Sequence, residues 1–418
     1  MPFSVASGMV LLGIAFVALP ATANRDAAFQ AEAAAVHARV LTIDTHIDIP
    51  PTFGTAAYDI LRAKPPRQKV DLPGMKKGGL DAAFFVVYVP QRERNPSGYA
   101  RAVSDAFVKV AAIREMTDLQ HPDRIGLALS ARDVHRIHAE GRRVALMGME
   151  NGFALGPNVD LLDTYYAFGV RYLGLVHNGH NDIGDSAVPN LRRGEPPAEH
   201  GGLSDFGRKV IARANALGII VDISHAAMTT ALDAINASHA PVLASHSAVR
   251  GVYDHPRNLS DEALWALRRT GGVVSIVAFD SYLHPVPEEK KAALAALRTE
   301  FDLRDAVDWA RMSEAERDAY VERRVELDRT WPKASVRHLV DHIDYAVNLI
   351  GIDHVGITSD FNGGGGIEGW NAADEALNVT IELMRRGYAE DAIAKLWGGN
   401  LLRVMRAVET VAAAAQDQ

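Results

Sequence analysis

Seven side chains set the chemistry open to this 418-residue chain: His46, Asp48, Glu150, His177, His225, His246 and Asp360. Each follows closely on a short apolar run. The chain has no cysteine, which excludes a thiolate ligand, a cysteine nucleophile and a disulfide. Any metal must therefore be held by imidazoles and carboxylates, a donor set that suits a borderline divalent ion, most often Zn2+. His46 and Asp48, two positions apart, share one face of an extended chain. Two ions about 3.5–4 Å apart need a bridging group, and Glu150, isolated between two histidine groups, is the natural bridge. On this reading His46 and Asp48 hold one ion, and His225 and His246 the other. A water bridging two zinc ions ionises near neutral pH and becomes a nucleophile for carbonyl or phosphoryl hydrolysis without serine or cysteine.

Each residue also has a plainer reading. His46 and Asp48 serve equally well as loop caps, Glu150 as a turn residue before Asn151-Gly152, and Asp360 as the cap of the loop that follows it. His225 stands beside a helix start, His246 between two serines. The metal reading prevails because the plain ones would all have to coincide at strand ends.

Eight apolar, β-rich runs deliver these residues: 40–43, 82–89, 143–149, 171–176, 219–223, 241–244, 273–279 and 355–358. Helical patterns alternate with them, including 99–119, 161–168, 204–217, 228–236, 259–269 and 336–349. Continuous apolar strands alternating with helices predict an α/β fold built on a parallel sheet. Polar residues gather at the ends of strands drawn from all round the series, as in a TIM-type (β/α)8 barrel of the metal-dependent hydrolase kind. The first strand ends in His46 and Asp48, the third in Glu150, the fourth in His177, the fifth in His225, the sixth in His246 and the eighth in Asp360. No Gly-x-Gly-x-x-Gly follows the first strand, which weighs against a dinucleotide fold. Residues 24–418 read as one catalytic domain, with a charged helical insertion at about 288–331 before the eighth strand.

A net charge of −8 provides no basic stripe for nucleic acid or an anionic membrane. Residues 1–23 read as a signal peptide: an apolar run over 9–19, the breaker Pro20, then Ala21-Thr22-Ala23 as a small-x-small cleavage pattern. No Lys or Arg precedes the run. An uncleaved anchor is the alternative, but the run is short for a span of ~20 residues. Cleavage after Ala23 predicts an exported protein, periplasmic or secreted, with no stable membrane anchor.

The chain resembles the membrane dipeptidases, the renal-dipeptidase-like zinc peptidases. The likeness rests on Ile43-Asp44-Thr45-His46-Ile47-Asp48, Gly148-Met149-Glu150-Asn151-Gly152 and Tyr172-Leu173-Gly174-Leu175-Val176-His177-Asn178. It continues through Val221-Asp222-Ile223-Ser224-His225, Ser245-His246-Ser247, His255-Pro256-Arg257-Asn258 and Ser359-Asp360-Phe361. The resemblance implies two Zn2+ ions per subunit, with the ligands divided as above and Glu150 bridging. It further implies that His177 and Arg257 contact the substrate and that Asp360 lies beside the nucleophilic water. Relatives cleave free dipeptides, often tolerate a D-residue at the C-terminal position, and are commonly homodimers. On that basis Arg257 clamps the dipeptide carboxylate, His177 and the ions stabilise the oxyanion, and Asp360 passes a proton to the leaving amine. Animal members carry cysteines and a C-terminal lipid-anchor signal that this chain lacks. Phe279 stands where some members have tyrosine, so no tyrosine role is assigned there. Two competing readings are a metal-dependent hydrolase of a lactone, N-acyl amino acid or phosphoester, and a non-enzymatic exported binding protein. The complete ligand set argues against the second.

Overall fold

The structure, a computed structural model, describes residues 1, 21–50, 52–55, 58–62, 68–191, 194–304 and 306–416. Residues 2–20 of the expected signal peptide lie outside the described residues. No helix among those described is long and apolar enough to cross a membrane.

Among the described residues there are nine parallel strands: β1 Ile43–Asp48, β2 Ala82–Tyr88, β3 Ile125–Leu127, β4 Arg143–Glu150, β5 Val170–Gly174, β6 Ile220–Asp222, β7 Leu243–Ser247, β8 Val273–Val277 and β9 Val355–Thr358. Eight of them form a ring in the order β1-β2-β4-β5-β6-β7-β8-β9, while β3 pairs only with the start of β4. The ring closes just past the end of β9. The Asp48 amide donates to Phe361 O (2.9 Å) and the Asp360 amide to His46 O (3.1 Å). This is the (β/α)8 barrel, and helices Glu288–Glu300, Ala306–Arg311 and Glu314–Thr330 form the insertion before its last strand.

Period-two alternation sorts the strand residues. Ala82, Phe84 and Val86 of β2 face the barrel interior with Val144, Leu146 and Tyr172, while Ala83, Phe85 and Val87 face the surrounding helices. Each large apolar side chain buried this way contributes about 1.5–3 kcal/mol. The interior cluster continues into Leu401, Leu402, Val404, Met405 and Val408 of the C-terminal helix Asn400–Gln416. That helix therefore lies across the N-terminal ends of the strands. Arg403 ties it down by donating to Gly271 O and Asp353 O, both at 2.6 Å.

Local signals fix the surrounding helices. Ser204 caps helix Asp205–Leu217 through the Gly207 amide, and Gly218 ends it at φ 86. Ser260 caps helix Asp261–Thr270 in the same way.

Strand bounds differ from those read in the sequence. His46, Asp48 and His246 lie within β1 and β7, not beyond them, because backbone pairing continues through polar residues; Asp48 still pairs with Val86. The three-residue β3 was not anticipated. Near the C-terminus, helix Asn400–Gln416 keeps Ala412 buried.

Candidate active site

The expected site residues converge at the C-terminal mouth of the barrel, around Glu150. Burial alone opposes ionisation of this carboxyl, but His46 and His177, with hydrogen bonds from His225 and His246, hold it well below the usual carboxylate range. Its two oxygens are divided between neighbours. His225 Nε2 and His246 Nε2 stand 3.0 and 3.4 Å from Oε1, and His46 Nε2 stands 3.6 Å from Oε2. Asp48 lies 3.7 Å from His46 Nε2, and Asp360 4.0 Å from the same atom. His177 Nε2 is 4.0 Å from Glu150 Oε1. Ligand atoms cluster in three overlapping triads: His46, Glu150 and His246; Glu150, His177 and His225; and His46, Asp48 and Asp360.

The remaining ring nitrogens explain why the Nε2 atoms point inward. His46 Nδ1 is 2.9 Å from the Tyr172 hydroxyl, and His225 Nδ1 donates to Asn178 Oδ1 at 3.1 Å. His246 Nδ1 meets Ser245 Oγ at 2.8 Å, and that hydroxyl donates onward to Asp222 Oδ2 at 2.6 Å. With an ion bound in place of the Nε2–Glu150 contacts, these outer partners would hold the proton on Nδ1 and leave the Nε2 lone pair for the metal. Gly148 makes room for one of them. It pairs in register with Tyr172, and a Cβ there would overlap the phenol ring.

The donor set fits a divalent ion. His46 Nε2 is buried and has no hydrogen-bond partner among the described residues, an expense that coordination removes. Burial disfavours a charged His46, yet the carboxylates of Glu150 and Asp48 raise its pKa well above the ordinary value. In other words, these carboxylates call for a positive charge at this point. Burial keeps His225 and His246 neutral, with Arg257 and His46 reinforcing it respectively.

Asp360 and His225 occupy left-handed backbone, at φ 55 and φ 66. Such conformations cost on the order of 1–3 kcal/mol and persist where surroundings enforce them. Asp360 is held by its own amide on β1 and by the Gly363 and Gly365 amides, which donate to its carbonyl at 3.2 and 2.8 Å. A Cβ at Gly363 would overlap the carboxylates of both Asp48 and Asp360. Burial pushes the Asp360 carboxyl well above its usual range, and the neighbouring Asp48 and Glu150 add to the shift.

Arg257, in the loop after β7, is 3% exposed. One Nη donates to His246 O at 3.2 Å, and the guanidinium carbon sits 5.3 Å from the Tyr282 ring centroid. Its Nε is buried with no partner among the described residues. The quoted sequence motifs contain Tyr172, Asn178, Ser245 and Asp222, but their type and spacing gave no reason to assign them as outer partners.

Comparison with known proteins identifies the family. The profile of the membrane dipeptidase family (peptidase family M19) matches residues 30–418. Dipeptidase aclJ of Aspergillus oryzae is 32% identical over 354 residues, 84% of this chain and 72% of the relative. Dipeptidase ataJ of Aspergillus terreus is 32% identical over 405 residues, 91% of this chain and 87% of the relative. Among solved structures, the probable dipeptidase PvdM of Pseudomonas aeruginosa superposes with a TM-score of 0.81 at 34% identity, covering 92% of this chain and 99% of that one.

Proposed function

The chain belongs to the membrane dipeptidase family (peptidase family M19), and from that premise we propose an exported, zinc-dependent dipeptidase with two Zn2+ ions per subunit, acting as a homodimer. The observation that carries the metal reading is the divided Glu150 carboxylate. One oxygen faces His225 and His246 and the other faces His46, beside Asp48. Two ions bridged by Glu150 would use every one of these contacts. Export rests on the expected leader over residues 1–23.

When bound, such ions supply Lewis acidity and an acidified water; the side chains supply the rest. Arg257, with an unpartnered buried Nε, pairs with the free carboxylate of the substrate and so restricts the enzyme to short peptides. This clamp favours a dipeptide over a lactone or phosphoester. Recognition of the carboxylate leaves the C-terminal side chain free in configuration, in keeping with tolerance of a D-residue. His177, kept below the ordinary histidine range by burial, is a neutral donor for the developing oxyanion. Asp360, whose carboxyl favours the protonated form, delivers a proton to the leaving amine.

The test is metal analysis of natively purified protein together with hydrolysis of L-Ala-L-Ala and L-Ala-D-Ala. About two zinc ions per chain, chelator-sensitive activity and recovery on zinc addition are expected. Zinc-replete protein that cleaves neither dipeptide would overturn the reading.

A further inference from the structure

Lys109 is a buried cation for which the mechanism above has no use. It lies on helix Pro96–Glu115, which follows β2, among the buried residues Ala102, Ala106, Val110 and Ile113. It is itself only 8% exposed. Its Nζ sits 5.3 Å from the centroid of Tyr88. Tyr88 pairs in register with Glu150, and its ring packs on His177 at 4.7 Å. The ammonium therefore stands at the rim of the catalytic pocket.

Among the described residues, no carboxylate comes within ion-pair distance of it. Asp105, one turn earlier, is already engaged by Arg92 at 3.0 Å and Arg101 at 2.9 Å. Burial lowers the lysine pKa, against the more distant pull of Asp48, Glu150 and Asp105. A buried ammonium with no counter-ion is costly. The dipeptidase reading, on which this inference rests, commits Asp48 and Glu150 to metal ions. A ligand carboxylate would supply the negative charge that the described residues do not bring to Lys109.

Strand order says which end of the ligand carries it. In the ring β1-β2-β4-β5-β6-β7-β8-β9, β2 and β7 are four places apart. Lys109, after β2, and Arg257, after β7, therefore face each other across the mouth. If Arg257 holds the C-terminal carboxylate, Lys109 faces the N-terminal residue. We propose that Lys109 anchors a side-chain carboxylate on that residue, so that the enzyme prefers Glu-Xaa and Asp-Xaa dipeptides.

The experiment compares kcat/KM of the metal-loaded full chain on L-Glu-L-Ala and its neutral isostere L-Gln-L-Ala. The wild type should favour the acidic substrate by about 10- to 100-fold, the scale of one charge-assisted contact. In Lys109→Met that ratio should collapse to near one, and Lys109→Arg should keep most of it. A wild-type ratio near one overturns the proposal even if the variants fail to fold, and so does a Lys109→Met ratio that stays high. A lysine that merely balanced charge would change metal content and both substrates alike, leaving the ratio intact. Cleavage of L-Gln-L-Ala without acidic preference defeats only the role of Lys109. Failure on both dipeptides defeats the dipeptidase reading as well.

Discussion

Replacing Tyr172 by phenylalanine tests the hydroxyl that stands behind His46 in the metal site. The ring should keep its place, since Gly148 leaves room for it and Phe84 packs against it at 4.8 Å between centroids. Only the hydroxyl, 2.9 Å from His46 Nδ1, is lost. Both residues are fully buried, so no solvent takes over and the Nδ1 proton has no acceptor. An unmet buried donor costs about 1–3 kcal/mol. Expressed as metal affinity, that is ~10- to 100-fold, the usual scale for an outer partner of a ligating histidine. The larger loss should fall on the ion beside Asp48, because His225 and His246 take their own outer contacts from Asn178 and Ser245, of which only Ser245 also lies beside the lost hydroxyl. Zinc titration of stripped protein against a chromophoric chelator resolves the two affinities, and the melting temperature of the metal-free variant checks the fold. Wild-type affinity at both positions would refute the reasoning. An equal loss at both, with a lower metal-free melting temperature, would point to general loosening instead.

Arg257→Met should lower kcat/KM on free dipeptides by about 10- to 100-fold, and do much less to dipeptide amides, which lack the carboxylate; equal losses on both would contradict the clamp. Gly363→Ala should abolish binding of the ion beside Asp48, because its Cβ overlaps the carboxylates of Asp48 and Asp360; zinc analysis reading two ions per chain would contradict this. His342 is fully buried, accepts from the Val249 amide at Nδ1 (3.2 Å) and donates from Nε2 to Leu283 O (3.1 Å), and burial lowers its pKa from 6.5 to about 4. Between those values the unfolded chain binds the extra proton. Its contribution is thus complete above pH 6.5 and is lost as pH falls toward 4, a total of roughly 3 kcal/mol. The metal-free protein should melt progressively lower across that window, and His342→Gln should flatten the trend; an unchanged slope would contradict it.

Much of this architecture is legible in the sequence because a parallel barrel writes itself as near-continuous apolar runs, and its chemistry falls where those runs end. The strand Val355–Thr358 is read to the residue. Where polar residues continue a strand, as in Ile43–Asp48 and Leu243–Ser247, the apolar run ends before the ladder does. The three-residue Ile125–Leu127 is too short to show a period. The partners behind the ligands were hidden for another reason. Tyr172 reaches His46 across 126 positions and Ser245 serves its neighbour, relations set by the closure of the ring and not by local spacing. Lys109 reads as one more solvated charge in an amphipathic helix until the fold shows which way it faces.

The helix Asn400–Gln416 that seals the strand starts has a consequence for how the chain is made. Ile43, Ala82 and Val144 come early in synthesis, yet the apolar floor they share with Leu401, Leu402 and Met405 cannot be dry until nearly the whole chain has emerged. Early strands can collapse on one another, but they keep a wet, adhesive underside in the meantime. The barrel is thus finished last at its base, and a chain cut short before Leu401 would carry an intact set of ligands on a core with no floor.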